Sequence, residues 1–210
     1  MLNINRFKYC YIFGAGEYYA FKGTVPEDAF VIAADGGYDV LLQKGVTPNL
    51  FIGDGDSVAK RPTCERIELP EEKDDTDMLA AIRVGLELGY KEFHIYGGTG
   101  GRIDHTIANI QSLMFIKNRG GNGYLYGDKK VLSILQNETI WYNHTETGII
   151  SIFSMGDRAL KVTETGLKYA LNEATVTKEF PIGVSNEFIG TKSSITVENG
   201  TLLIIKDLQP

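Results

Sequence analysis

Cysteine is scarce in this chain. Two residues, Cys10 and Cys64, in 210 form neither a disulfide framework nor a metal-ligand spacing, and they read as buried, reduced thiols. Long apolar runs are missing too. The longest, 30–34 and 202–205, fall far short of the roughly 20 residues a membrane helix needs, so no membrane partner is expected. Residues 1–11 carry Arg6 and Lys8 but no long apolar core or small-residue cleavage site, and do not read as a signal peptide. A cytoplasmic protein is therefore expected, and the Asn-x-Thr triplets at Asn137, Asn143 and Asn199 carry no glycosylation reading. Nor is there a basic block: the formal charge is −6, which argues against a nucleic-acid partner. A nucleotide substrate stays open, because a bound metal can carry the positive charge locally. No Gly-Lys-Ser/Thr follows a glycine loop, and Gly14-Ala15-Gly16 does not complete a dinucleotide fingerprint.

What is present is an ordinary globular balance, 43% hydrophobic and 23% charged, which excludes a disordered chain. Up to about residue 120, short β-branched or aromatic runs at 9–13, 30–34, 50–52 and 93–96 alternate with helical patterns at 38–44 and 77–88. Ile107, Ile110, Leu113 and Met114 mark the apolar stripe of a third helix. Such alternation predicts βαβ units and a mainly parallel sheet. From Tyr124 onward only short strand-like runs remain, separated by Gly, Asn and Asp turns, which predicts an antiparallel sandwich or barrel. The expected organisation is an α/β domain over 1–125 followed by an all-β sandwich over 126–210.

Four clusters follow expected strand ends in the first half, where ligands bind in open α/β sheets. Asp35-Gly36-Gly37 suits a strand-to-helix turn with Asp35 as cap. Asp54 and Asp56, interleaved with glycines, can converge on a hard cation, or can simply form an acidic turn. Lys73-Asp74-Asp75-Thr76-Asp77 opens a helix; capping explains part of it, and the surplus of acids makes Asp77 a candidate metal ligand. Gly97-Gly98-Thr99-Gly100-Gly101-Arg102-Ile103-Asp104-His105 offers glycines that admit phosphate oxygens close to backbone amides, followed by a forked Arg donor. His94 lies within a strand and reads as a packed residue; His105 borders the Arg102 motif, and His144 sits in a turn. No activated nucleophile is evident. Phosphoryl transfer fits this inventory, since positioning and electrostatics dominate it.

Taken in order, Asp35-Gly36-Gly37, Gly53-Asp54-x-Asp56-Ser57, Lys73-Asp74-x-Thr76-Asp77 and Gly98-Thr99-Gly100-Gly101-Arg102-x-Asp104-His105 resemble the signature blocks of thiamine pyrophosphokinases. Thr165-Gly166-Leu167-Lys168-Tyr169 and Gly183-Val184-Ser185-Asn186-Glu187-Phe188 resemble that family's thiamine-side motifs. The resemblance implies pyrophosphate transfer from Mg·ATP to thiamine in a homodimer whose sites combine the first domain of one subunit with the second of the other. It implies Mg²⁺ on Asp54, Asp56 and Asp77, with Asp35 beside them. It further implies ATP near Gly98, Thr99, Arg102 and Asp104, Lys73 and Asp74 at the substrate mouth, and thiamine against Tyr169, Ser185 and Asn186. Animal members carry Trp where Tyr169 stands, and a neutral amide at Lys73. Transfer to another heterocyclic alcohol, such as a hydroxymethylpterin, is the alternative reaction, and a non-catalytic nucleotide or thiamine sensor the alternative class.

Overall fold

The computed structural model describes residues 6–19, 21–56, 58–59, 61–68 and 75–209, so Lys73 and Asp74 lie outside the described residues. It divides into two compact units, Met1–Asp128 and Lys129–Pro210.

The first unit holds β1 (Tyr9–Phe13), β2 (Ala29–Ala34), α1 (Gly37–Gln43), β3 (Leu50–Gly53), β4 (Glu65–Glu68), α2 (Asp77–Glu87), β5 (Glu92–Tyr96), α3 (Ile103–Lys117) and β6 (Asn122–Tyr126). Its strands lie in the order β6-β5-β1-β2-β3-β4. β1 pairs in parallel with both β2 and β5, and the pairs β2–β3, β3–β4 and β5–β6 are parallel as well. β2 is buried along its whole length, as its unbroken apolar run Ala-Phe-Val-Ile-Ala-Ala requires of a strand covered on both faces. Phe13, Val31, Ala33 and Phe51 pack with Tyr38 and Leu41 of α1 on one face. α2 covers β1, β2 and β3, and α3 packs on β6 and α2. A Cβ at Gly85 of α2 would stand 2.6 Å from the Phe93 ring and 3.0 Å from Cys10 Sγ, so glycine sets how closely this helix approaches the sheet. Burial pushes the Cys10 thiol far up, which makes it inert.

One strand is unforeseen and two expectations need adjustment. β4 (Glu-Arg-Ile-Glu) is exposed throughout, and its pattern gives no apolar alternation to read. β6 spans Tyr124, from which the short runs of the second domain are expected, yet it pairs with β5 of the first sheet, and the two units divide after Asp128, three residues beyond the expected 125/126. On α3 the buried face is Asn109, Ser112, Leu113 and Ile116, while Ile107 is exposed.

The second unit is all strand: β7 (Lys130–Gln136), β8 (Thr139–Tyr142), β9 (Ile149–Ser154), β10 (Arg158–Thr165), β11 (Leu171–Thr177), β12 (Asn186–Glu187), β13 (Ser193–Thr196) and β14 (Thr201–Asp207). One group runs β12-β9-β14-β7 and the other β11-β10-β13-β8, with antiparallel pairing throughout. Ile152, Leu202 and Ile204 from the first group share one core with Val162, Val176 and Ile195 from the second.

Candidate active site

The strand order of the first unit reverses at β1: the chain proceeds outward through β2, β3 and β4, then returns to place β5 on the other side. Loops leaving the carboxyl ends of the two strands at such a switch point diverge and leave a crevice. Here those loops are Gly14–Glu17 after β1 and Gly97–Gly101 after β5, and they line a cleft of about 410 Å³, within the size range of small-ligand sites. They are zipped backbone to backbone. The Gly14 N–H donates to Tyr96 O at 2.9 Å, Gly16 N–H to Gly97 O at 2.8 Å and Glu17 N–H to Thr99 O at 2.9 Å. A Cβ on Gly16 would sit 2.7 Å from the Gly97 and Thr99 carbonyl oxygens, and Gly97 adopts φ +64°, so glycine is required on both sides of the zipper.

Asp35 and Asp77 line the same cleft. Asp35 follows β2 with φ +48°, a left-handed conformation costly for a residue other than glycine and held by its N–H bond to Ile52 O at 2.9 Å. Its carboxylate meets those of Asp54 and Asp56, which follow β3; one oxygen from each lies within 4.8 Å of the others. The Asp56 N–H donates to Asp54 Oδ1 at 3.1 Å, so the turn itself aims these two side chains. Asp77 opens α2 but is not its cap: that place belongs to Thr76, whose Oγ1 accepts the Leu79 N–H at 3.2 Å. Asp77 stands outside the convergent trio. Among the described residues, the set within 4.8 Å is Asp35, Asp54 and Asp56, and Asp77 shares the cleft lining with Asp35. Three carboxylates offer hard oxygen donors, which fit Mg²⁺.

Arg102 and His105 lie on the cleft lining at the start of α3. Arg102 is exposed and forks onto Asp104, Nε to Oδ1 at 3.2 Å and Nη2 to Oδ2 at 2.6 Å. The pairing holds the Asp104 carboxyl below its ordinary value and raises the guanidinium. Gly98 lines the cleft, but Thr99 does not: it is buried, and its hydroxyl donates to Tyr126 O at 3.4 Å. Thr99 thus braces the loop against β6. The sequence reading missed Asn109, which is buried on α3, lines the cleft and donates through Nδ2 to Gly98 O at 2.7 Å. Its signal was a polar residue seven positions after Arg102, on the inner face of the helix.

In the second unit Tyr169 is 61% exposed. Ser185 is exposed with φ +61°, its N–H donating to Ser151 Oγ at 2.9 Å. Asn186 is buried, and both ends of its carboxamide are held by the protein.

Comparison with known proteins covers both units. Residues 21–124 match the family model described as thiamin pyrophosphokinase, catalytic domain, and residues 137–202 match thiamin pyrophosphokinase, vitamin B1 binding domain. The thiamine pyrophosphokinase of Bacillus subtilis is 30% identical over 88% of this chain and 90% of its own. The chain belongs to the thiamine pyrophosphokinase family. A crystal structure of the Bacillus subtilis thiamine pyrophosphokinase superposes with a TM-score of 0.86 at 26% identity, over 97% of this chain and 100% of that one. The thiamin pyrophosphokinase structure from Geobacillus thermodenitrificans, 24% identical over 96% of this chain and 98% of its own, has the same fold with a TM-score of 0.84.

Within this family match, both regions singled out in the sequence are covered: the carboxylate and glycine blocks by the catalytic-domain model, and the Tyr169 and Asn186 blocks by the vitamin B1 binding model. Of the remaining histidines, His94 is half-buried between Tyr126 Oη at 2.8 Å and Glu92 Oε1 at 3.1 Å. Desolvation lowers its pKa against the opposing pull of Glu92, and it is absent from the cleft lining. His144 is exposed in a turn.

Proposed function

We propose that this chain is a thiamine pyrophosphokinase, which transfers the pyrophosphoryl group of Mg·ATP to the hydroxyl of thiamine and releases AMP and thiamine diphosphate. The observation that carries the reading is the convergence of Asp35, Asp54 and Asp56 beside a glycine-walled cleft with Arg102 on its rim. This is the equipment for holding a polyphosphate, and no covalent catalyst is needed for the transfer.

Asp54, Asp56 and Asp35 would hold Mg²⁺, with Asp77 close to the same polyphosphate. When bound, the ion neutralises charge on the phosphate oxygens. Arg102 would exchange the Asp104 carboxylate for phosphate oxygens, keeping its two-point grip. The backbone zipper and the Asn109–Gly98 bond hold the loop walls in place before the nucleotide arrives, so little ordering cost falls on binding. Asp35 would orient the attacking hydroxyl. Aligning alcohol and β-phosphorus supplies most of what the reaction requires, and a strong base is unnecessary.

The second unit is read as a β-sandwich that takes thiamine on the exposed Tyr169 ring, with Ser185 beside it. A homodimer with sites shared between subunits is part of the same reading. In its support, Tyr169, Phe180, Ile182, Val184 and Ile189 are exposed apolar side chains of the second unit, which a partner subunit would cover. A reducing, cytoplasmic setting is supported by two free cysteines, one of them buried. Among the described residues no helix is long and apolar enough to cross a membrane.

Mixing the protein with ATP, MgCl₂ and thiamine should release AMP and thiamine diphosphate in equal amounts. Binding of both substrates without AMP release would identify a sensor, and faster turnover of a hydroxymethylpterin would identify the alternative kinase.

A further inference from the structure

Asn186 has no hydrogen-bonding capacity left for a ligand. Its Nδ2 donates to Tyr169 O at 2.7 Å and to Glu164 Oε2 at 3.0 Å. Its Oδ1 accepts the N–H groups of Tyr169 and Glu187, each at 2.9 Å. A carboxamide has two donors and one oxygen with two lone pairs, and all are used. Three of the four partners are backbone groups of fixed polarity, which settle the orientation of the amide. The sequence expectation that Asn186 touches thiamine is therefore replaced by a grip on both backbone groups of Tyr169.

Glu164 backs that grip from the core. It is 2% exposed and lies opposite Ile195 in the β10–β13 register. Its Oε1 has no hydrogen-bond partner among the described residues. Burying a carboxyl that receives a single amide donor is costly, and an apolar residue would fill the position without that cost. What the acid contributes is an acceptor that fixes the second Asn186 N–H.

Further staples hold the same backbone: Leu167 bridges Phe188, Lys168 N–H donates to Glu187 O at 3.0 Å, and Lys168 Nζ meets Glu187 Oε2 at 2.7 Å. From this immobilised segment projects the exposed Tyr169 ring. We infer that Glu164 and Asn186 are positioning residues that hold the Tyr169 ring as a rigid platform for the planar, cationic heteroaromatic part of the substrate. The inference rests on the reading of Tyr169 as a thiamine contact. Its physical gain is that a π-face on a fixed backbone loses little freedom when a cation settles on it.

Steady-state kinetics on the full chain, varying thiamine at saturating Mg·ATP, test it with Tyr169→Ala, Asn186→Ala, Glu164→Leu and Glu164→Gln. Tyr169→Ala should raise the KM for thiamine about tenfold. Asn186→Ala and Glu164→Leu should raise it roughly three- to tenfold, leave the KM for ATP unchanged, and add less than about twofold once Tyr169 is already Ala. Glu164→Gln, which keeps an acceptor for Asn186, should stay within about twofold of the parent. An Asn186→Ala factor that is the same with and without the Tyr169 ring overturns the inference, as does a folded Glu164→Leu with unchanged KM where Tyr169→Ala raises it. If Tyr169→Ala itself leaves the KM unchanged, the contact reading fails first and takes the inference with it. Should the core variants not fold, hydrogen exchange on the wild type decides: a Tyr169 amide no better protected than exposed loop amides overturns the grip.

Discussion

Arg102 and Asp104 hold each other at two points on the rim of the cleft, and this fork-to-fork geometry is the one a guanidinium makes with phosphate. Lysine at 102 keeps the charge and loses the fork. Arg102→Lys should lower kcat/KM for ATP about tenfold and leave the KM for thiamine in place. An unchanged ATP dependence would make Arg102 a surface partner of Asp104 and nothing more.

Removing one carboxylate from the trio separates metal binding from structure. Asp54→Asn should abolish most turnover at saturating Mg²⁺. Its melting temperature should hold or rise slightly, because three acids within 4.8 Å repel each other. Near-normal turnover, or a large loss of stability, would remove Asp54 from the metal site.

Thr76 and Asp77 divide two roles that the sequence left joined. Thr76→Ala deletes the cap that receives the Leu79 N–H and should cost about 1 kcal/mol in urea unfolding with kcat little changed. Asp77→Asn should do the reverse, with turnover lost and stability nearly intact. The opposite pattern would return Asp77 to a dipole-stabilising role at the helix start.

The fold was legible wherever burial writes a period into the chain. β2 is a continuous apolar run because both its faces are covered, and α2 shows its buried stripe through Met78 and Ile82. β4 was not legible, since an exposed edge strand needs no apolar alternation. The stripe of α3 was misread because polar residues, Asn109 and Ser112, occupy its inner face while Ile103 and Ile107 face outward. In the candidate site, Asp35, Asp54 and Gly98 stand just past strand ends, where the sequence places them. The motifs place Thr99 and Asn186 beside glycines and an aromatic, but do not reveal the intramolecular bonds their side chains make. Which way a side chain turns depends on long-range partners, Tyr126 for one and Glu164 for the other, and local spacing does not encode them.

Glu164 also makes stability depend on pH. Burial pushes its carboxyl from an ordinary 4.5 up to about 7, against a smaller opposing effect of the Asn186 hydrogen bond. The folded chain therefore keeps a proton that the unfolded chain releases. The associated stability is complete below pH 4.5 and is lost as pH rises through 7. The full loss is roughly 3 kcal/mol. Glu164→Gln cannot ionise, so between pH 4 and 8 its unfolding free energy should fall less than that of the wild type by about this amount. Parallel curves for the two proteins would show that Glu164 is ionised without penalty.

A site shared between subunits can be tested by complementation. Asp77 lies in the first unit and Tyr169 in the second. Asp77→Ala should be nearly inactive alone, and Tyr169→Ala can be assayed at thiamine well below its KM, where a tenfold higher KM leaves about a tenth of the wild-type rate. If each site joins the first unit of one subunit to the second unit of its partner, a mixed dimer concentrates both lesions in one site and leaves the other intact. Refolding an equal mixture makes half the molecules heterodimers with one working site of two, so about a quarter of wild-type activity should return for a closed two-fold dimer. If each site were built within one chain, every site would carry one lesion and mixing would restore nothing. Size-exclusion chromatography and differential tagging must first establish the heterodimer; a verified heterodimer without activity would place both units of a site on one chain.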